Sequence, residues 1–564
     1  MSREPCGVWR AYPDLRHRLG VILLTATLIP APATAGPAAG ETTVLGPLVG
    51  EEALLHPDNL DPHRIRFYGT DLGWTYPHDG VLHILFGDTM ADEDGAPIDA
   101  ANGGRFEDSF GTIDLSEWRD PSLIQPGNLP RVRIGQIAGS VEAAAINPGH
   151  AMEGFKTPVG GFSNGEREFG VFFTYKPLGC RSDNDCTGGM SCDRGLGYVG
   201  APWETDEGVT FACIDGSSPV CVSETVSAAN LEDPHEGSGF CIDRTSSVWA
   251  ATDIGRTSAV SVKLLVGTRD PDDPARYGPD HEWHTNKFLN VAVRTVASFD
   301  PGRNPETKPL AQFKPAREPG PNARVFLWGR PGFVGVGATG RDLGLYFAYA
   351  DLPRGPGYSW NLQYFAGLDE AGRPRFKPAE SAATAIDLDS SADGVQADES
   401  IDVVNQMSIS WIPQLGKWAM FYGGGMTNLP IQPALARCGV LELFAGSECT
   451  EVEIGNGGFR LRTADHPWGP WSPPQDILAA GDPQGPPVGQ YGIGGMLRHP
   501  DCNQPGCAPH TSARDVNPKE YGFFYSANII EQWTRPAGDG VDVIWNASTW
   551  DPYRVILLRT RIHP

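Results

Sequence analysis

Short runs of aromatic and β-branched residues recur along the chain, and turn residues separate them. Five runs stand out: Val81–Phe86, Phe169–Tyr175, Leu343–Tyr349, Lys417–Tyr422 and Tyr521–Tyr525. Turn signals such as Asp79-Gly80 and Asn164-Gly165 precede some of them. Runs of this length and composition are typical of β-strands, and apolar residues on both faces favour strands buried between neighbouring sheets. The pattern therefore predicts an all-β chain.

The number of these runs predicts the architecture. Further strand-like segments lie at 288–296, 358–365 and 459–463. Five units, each a small antiparallel sheet, would form a five-bladed β-propeller. The spacing is irregular, so this prediction depends on local composition rather than on a fixed period. An array of β-sandwiches is the alternative. The 69 Gly and 50 Pro residues agree with an all-β chain that has many turns.

One stretch interrupts the strand pattern between the second and third runs. Residues 178–243 contain six cysteines: Cys180, Cys186, Cys192, Cys213, Cys221 and Cys241. Their spacing predicts a disulfide-rich insertion, although six cysteines allow fifteen connectivities. Zinc is the competing interpretation, but paired C-x-x-C spacing does not occur. A calcium site at Asp183–Asp185 is a second alternative, with a spacing that matches no EF-hand loop.

The N-terminal residues predict export. Arg16 and Arg18 precede the apolar run Leu19–Ile29, and Ala33-Thr34-Ala35 forms a small-x-small cleavage site. We therefore predict a signal peptide over residues 1–35, cleaved near Ala35, and a secreted or periplasmic protein. A short linker over 36–46 and a propeller domain over 47–564 would follow. Since no other stretch approaches about 18 uncharged apolar residues, we predict no integral membrane segment in the mature chain.

Charge and motif spacing exclude several functions. The formal net charge is −25, which argues against nucleic acid as a partner. The glycine-rich segment 335–340 precedes a predicted strand, where a phosphate-binding helix would have to begin. The segment 281–284 (HEWH) is one residue short of the zinc-protease motif. We therefore predict no cofactor and no metal.

The segment 69–89 (GTDLGWTYPHDGVLHILFGDT) reads as a β-hairpin around Asp79-Gly80. If these two residues form the loop, His78 faces Val81, and Asp71 faces Asp88. Two carboxylates held close together cannot both ionise cheaply, so one tends to stay protonated. A glycosidase needs one protonated acid and one ionised nucleophile or base, and directly opposed carboxylates favour a retaining mechanism. The alternative is a pair of structural aspartates that bind backbone amides.

The same segment resembles a known family. FYGTDLGWTY (67–76) together with LHILFGDT (82–89) resembles the first blade of the endo-D-arabinanases, which are five-bladed propeller glycoside hydrolases formerly grouped as a bacterial domain of unknown function. VIWNASTWDPYRVILLRT (543–560) is similar to the closing segment of that family. LRTADHPWGPWSPPQDI (461–477) resembles the outer strands of propeller glycosidases. The resemblance extends from about residue 47 to the C-terminus.

The resemblance implies that Asp71 and Asp88 are the catalytic carboxylates of a hydrolase that cleaves arabinofuranosidic linkages in an arabinan-like polysaccharide. Trp74 could stack on a sugar ring, or it could simply pack in the blade. Asp108 could bind substrate hydroxyls, or it could be solvated surface. A non-catalytic carbohydrate-binding or adhesion propeller is the alternative function.

Overall fold

The structure is a computed structural model. It describes residues 37–49, 69–90, 107–134, 156–166, 168–174, 179–180, 182, 184, 191–193, 212–213, 221–222, 239–242, 250–253, 287–288, 290–301, 304–309, 323–330, 345–352, 361–386, 388, 406–423, 459–478, 523–550 and 554–564. The predicted signal peptide lies outside these residues, so the signal peptide and export stay predictions.

The described residues are mostly strands. In the first half of the chain these are β1 (Ala38–Val49), β2 (Gly69–His78), β3 (Val81–Met90), β4 (Glu107–Asp114), β5 (Arg133–Ile134), β6 (Lys156–Ser163), β7 (Glu168–Thr174), β8 (Gly179–Cys180), β9 (Ser191–Asp193), β10 (Ala212–Cys213), β11 (Cys221–Val222), β12 (Gly239–Ile242) and β13 (Ala250–Asp253).

The second half continues in the same way. Its strands are β14 (Asn290–Asp300), β15 (Asn304–Pro309), β16 (Arg324–Arg330), β17 (Tyr346–Asp351), β18 (Gln363–Leu368), β19 (Pro374–Lys377), β20 (Met407–Ile412), β21 (Lys417–Gly423), β22 (Phe459–Ala464), β23 (Gln475–Leu478), β24 (Phe523–Ile529), β25 (Arg535–Ala537), β26 (Gly540–Trp550) and β27 (Arg554–His563). Short 3-10 helices occur at Pro121–Leu123, Glu380–Ala382 and Glu531–Trp533.

The larger sheets follow one another along the chain. The first sheet has the order β2-β3-β4-β5, and the second has the order β13-β7-β6. The third is β15-β14-β16-β17-β18-β19, and the fourth is β20-β21-β22-β23. The closing sheet has the order β1-β27-β26-β24, with β25 paired to β26. Each of these sheets is antiparallel wherever neighbouring strands pair.

The inner strands of these sheets form a ring. β2 contacts β6, β6 contacts β14, β14 contacts β20, β20 contacts β24, and β24 contacts β2. Small sheets arranged radially around a central axis define a β-propeller. The all-β propeller is therefore confirmed, and the alternative of stacked sandwiches is wrong because β24 returns to contact β2.

Apolar side chains fill the spaces between neighbouring sheets. Buried clusters lie between the second and third sheets, the third and fourth, the fourth and closing, and the closing and first. Trp545 of the closing sheet, for example, packs edge-on against Phe421 and Phe459 of the fourth, with ring centroids 5.4 and 5.0 Å apart. Aromatic residues on both faces of the strands thus bury against two neighbouring sheets, as the sequence pattern predicts.

Most of the segment 36–46, which reads as a linker in the sequence, lies within the first strand. Residues 38–49 form β1, which pairs with the C-terminal strand β27. Leu45, Leu48 and Val49 are buried between the closing and first sheets. The two ends of the described chain therefore meet in one sheet.

The cysteine-rich insertion contains small sheets where it is described, with the orders β8-β12-β9 and β10-β11. In the backbone register Cys192 is opposite Cys241, and Cys213 is opposite Cys221. Directly opposed strand positions have Cα separations of about 4.5–5.5 Å, which a disulfide can bridge.

We therefore expect disulfides between Cys192 and Cys241 and between Cys213 and Cys221. Peptide mapping without reduction would detect them, and other partners for these cysteines would contradict the expectation.

No helix within the described segments is long and apolar enough to cross a membrane.

Candidate active site

The predicted turn of the first hairpin is confirmed. Asp79 and Gly80 have φ values of 47° and 78°, and His78 pairs with Val81. A two-residue turn with positive φ at both positions matches the twist of antiparallel strands. The register changes further along the hairpin, however, and Asp71 pairs with Gly87. The predicted direct opposition of Asp71 and Asp88 is therefore wrong.

A β-bulge in β2 causes this change, and a second bulge in β3 follows it. In β2 the extra residue is Gly73, and the φ values of Leu72 and Gly73 are 65° and 76°. In β3 the register shifts again beyond Gly87, against both β2 and β4. Bulges interrupt strand alternation and re-aim side chains, and they are frequent next to active sites. Asp71 and Asp88 each adjoin one of these bulges, so the hairpin register no longer supplies the carboxyl separation that favoured a retaining mechanism.

The backbones of the three predicted aspartates lie at one end of the first sheet. Asp71 pairs with Gly87, the residue before Asp88. In β4, Asp108 lies between the residues that pair with Phe86 and Thr89. The side chains of Asp88 and Asp108 lie outside the described residues, so their predicted roles stay predictions.

The Asp71 side chain is buried against the opposite strand and the closing sheet. It is 7% exposed, and a Cβ atom added to Gly87 would lie 2.6 Å from its Oδ1 atom. The hydroxyl of Tyr525 in β24 donates a hydrogen bond of 2.5 Å to Oδ2. Gly87 thus makes room for the carboxylate, and a residue 454 positions away in the chain holds it.

Two asparagines of the closing sheet hold the bulge that follows Asp71. The Nδ2 atoms of Asn528 and Asn546 donate hydrogen bonds of 3.1 and 2.8 Å to the Gly73 carbonyl oxygen. Asn528 also donates to Thr75 Oγ1 at 2.9 Å. Both asparagines are buried. A buried carbonyl needs hydrogen-bond donors, and at the bulge these donors come from the closing sheet.

Trp74 faces the axis of the propeller. It lines a small cavity together with Thr75 of the same strand and with residues from the other inner strands, namely Val159, Gly160, Ala292, Val293, Arg294, Met407, Ser408 and Asn528. The centre of a water molecule can occupy about 10 Å³ of this space, which is room for roughly one water molecule. Trp74 is 3% exposed. This burial favours the packing role over stacking on a sugar.

Arg294 of β14 crosses the same axial region and connects this strand to β20 and to Glu531. Its guanidinium donates to Ser410 Oγ at 2.9 Å and to Ser408 Oγ at 2.7 Å. Its Nε atom lies 3.3 Å from a carboxylate oxygen of Glu531. Burial lowers the pKa of Arg294, and the Glu531 charge opposes this effect. Because arginine stays protonated in proteins, we assign it a structural role in the axial network.

A polar cluster lies at the opposite end of β2, between the first and second sheets. Glu168 Oε2 accepts a hydrogen bond of 2.9 Å from the Tyr76 hydroxyl and lies 2.7 Å from His83 Nδ1. His78 Nδ1 lies 2.7 Å from Ser163 Oγ. Burial alone would raise the pKa of Glu168, but the hydrogen bond and charge of His83, with smaller effects of His78 and Tyr76, lower it below its usual 4.5.

The lowered pKa of Glu168 predicts how the free energy of unfolding changes at acidic pH. A carboxyl whose pKa is lower in the folded state stabilises the fold above its unfolded pKa and loses that effect as the pH falls. We expect Glu168→Gln to reduce the free energy of unfolding by about 1–3 kcal/mol at pH 7. The difference from wild type should shrink as the pH falls below 4.5.

Urea unfolding between pH 3 and 7 measures this difference. The exposed Glu166, two residues away, provides the control variant Glu166→Gln. A difference between wild type and Glu168→Gln that stays constant from pH 7 to pH 3 would contradict the assigned pKa direction.

The fold and the site thus define an all-β propeller with three aspartates at one end of its first sheet. The sequence matches no protein-family model. No curated protein sequence matches it.

Several solved structures are similar to this chain. An α-L-arabinofuranosidase from Podospora anserina in complex with cellotriose has 10% identity and a TM-score of 0.33, over 93% of this chain and 98% of that chain. A GH62 hydrolase in complex with xylotriose has 10% identity and a TM-score of 0.32, with the same coverage. A Trypanosoma rangeli sialidase has 8% identity and a TM-score of 0.27, over 92% of this chain and 58% of that chain. At such values these likenesses assign no activity to this chain.

Sequence reasoning did not identify Tyr525, Asn528 or Asn546 as site residues. Tyr525 ends one of the aromatic runs, so it reads as a strand residue. The two asparagines lie within the strands β24 and β26. Asparagine is depleted in strands. Two asparagines within strand-like segments near the C-terminus were therefore the signal that the sequence offered.

Proposed function

We propose that this protein is a secreted glycoside hydrolase on a five-bladed propeller, which cleaves arabinofuranosidic linkages in an arabinan-like polysaccharide. Asp71 and Asp88 are its catalytic carboxylates. The observation that carries the proposal is the first-blade motif: its two aspartates adjoin bulges at one end of the first sheet. The ring of inner strands supports the blade count.

The chemistry requires two carboxyl groups in different protonation states. One group, protonated, donates a proton to the leaving glycosidic oxygen, and the other, ionised, attacks the anomeric carbon or activates a water molecule. Aspartates in unlike surroundings can divide these roles, because hydrogen bonds and neighbouring charges separate their pKa values.

Product analysis tests this proposal. The purified mature protein is incubated with D- and L-arabinans, fructans and galactans, and released sugars are separated and identified. We expect new reducing ends from an arabinan and a strongly reduced rate of release from that substrate with the Asp71→Asn variant. Cleavage of a fructan or galactan instead would change the substrate class. Binding to a glycan without release of any product would favour the carbohydrate-binding alternative and overturn the enzyme proposal.

A further inference from the structure

The contact between Tyr525 and Asp71 joins two sheets at the proposed site. The hydroxyl-to-Oδ2 distance is 2.5 Å, and the two residues are 8% and 7% exposed. Hydrogen bonds of about 2.5–2.7 Å between a hydroxyl and a carboxylate are typical when the acceptor is ionised. A donor that faces a carboxylate stabilises its charged form. The geometry therefore favours an ionised Asp71.

Unusual backbone conformations position both partners of this contact. Among the described residues, the non-glycine residues with positive φ are Leu72, Asp79 and Ser526, at 65°, 47° and 58°. Asp79 belongs to the hairpin turn. The other two directly follow Asp71 and Tyr525. Positive φ in a residue with a side chain costs free energy and persists only where the surrounding structure enforces it.

A bulge accompanies the strained residue on each side. Gly73 is the extra residue in β2, and the register of β24 with β26 shifts between Tyr525 and Asn528. Asn528 in turn donates a hydrogen bond to the Gly73 carbonyl oxygen. Asn528, at the end of the irregular segment of β24, thus stabilises the bulge at Gly73 in β2. Two irregular segments from opposite ends of the chain are built around one tyrosine–carboxylate contact.

We infer that Tyr525 is a positioning residue that holds Asp71 in its ionised form and in one orientation. This inference rests on the proposed function and deepens it, because it assigns Asp71 the role of nucleophile or general base. The role of proton donor then falls to Asp88. Tyr525 itself transfers no proton in this assignment, and its hydroxyl keeps its hydrogen throughout.

The Tyr525→Phe variant tests the inference, because it removes the hydroxyl and keeps the ring. We expect the pKa of Asp71 to rise by about one unit, which corresponds to about 1.4 kcal/mol. Carbon-13 NMR of labelled aspartate measures this titration directly, and the signal is assigned by its loss in Asp71→Asn. In the pH profile of kcat/KM, the apparent pKa of the acidic limb should rise by the same amount.

The matched control is Tyr76→Phe. Tyr76 also donates a hydrogen bond to a carboxylate, at 2.9 Å to Glu168, but at the other end of β2. This variant should leave the titration of Asp71 unchanged. If Tyr525→Phe does not fold, 3-fluorotyrosine placed at position 525 keeps the shape and strengthens the donor, so the pKa of Asp71 should then fall.

The outcomes separate this inference from the proposed function. An Asp71 titration that is unchanged by the modification at Tyr525 overturns the inference, whatever the protein hydrolyses. A shifted titration in a protein that cleaves none of the glycans supports the coupling of Tyr525 to Asp71 and overturns the proposed function. A shifted titration together with a shifted acidic limb supports both.

Discussion

The Asp71→Asn variant should lose about 10²–10⁴-fold in arabinan hydrolysis, the usual contribution of a positioned acid or base. Asparagine has the size of aspartate, and its oxygen can still accept the hydrogen bond of Tyr525, so the fold should persist. Initial rates of reducing-end release measure the activity, and thermal unfolding checks the fold. The substitution thus removes the negative charge of the carboxylate and keeps the size of the side chain.

The first sheet offers a control for this substitution. Asp114 lies at the other end of the same sheet, opposite Val81, and accepts a hydrogen bond of 2.7 Å from the Ser116 amide. Asp114→Asn should therefore keep wild-type activity. Equal activity of Asp71→Asn and wild type would remove Asp71 from the mechanism and leave it the structural role of a buried aspartate.

Substituting Gly87→Ala should lower activity by about 10²-fold, which is the cost of misplacing a catalytic group by about 1 Å. The added methyl group would lie 2.6 Å from Asp71 Oδ1 and 2.7 Å from Leu72 Cδ1. Both atoms end side chains and can move, so the chain should still fold. The carboxylate, however, has to leave its position. Activity and thermal unfolding, measured on the same preparation, separate the two effects.

Gly160→Ala is the matched control. Gly160 also lies on an inner strand, but the nearest atom to an added Cβ there is 3.4 Å away, an ordinary contact. This variant should keep its activity. If Gly87→Ala and Gly160→Ala lose activity equally, the loss reflects a general effect on inner strands and not the displacement of Asp71.

The same residues explain why the site depends on closure of the propeller. The closing sheet contains both ends of the described chain, β1 and β27, and also supplies Tyr525, Asn528 and Asn546. The first sheet supplies Asp71 and the bulge. The orientation of Asp71 is therefore established only when the last strands pack against the first sheet.

The strands and the first turn could be predicted because their causes are local. Each of the five aromatic runs overlaps a strand: β3, β7, β17, β21 and β24. Asp79-Gly80 forms the predicted turn, because few other residue pairs adopt positive φ at both positions. Apolar residues on both faces of the strands predicted burial between sheets, and the buried clusters show it. These features depend on residues a few positions apart.

The register at Asp71 and the residues around it were decided by the tertiary structure. A hairpin read from its turn alone pairs Asp71 with Asp88, and that prediction fails because the bulge at Gly73 shifts the strand by one residue. The hydrogen bonds that satisfy the Gly73 carbonyl come from residues 455 and 473 positions away. Likewise, residues 36–46 read as a linker in the sequence, and only the pairing with β27 makes residues 38–49 a strand. The sequence by itself determined strands, turn and candidate aspartates, since local propensity is enough for these. Where Asp71 lies and what holds it depend on side chains that only the closed propeller brings together.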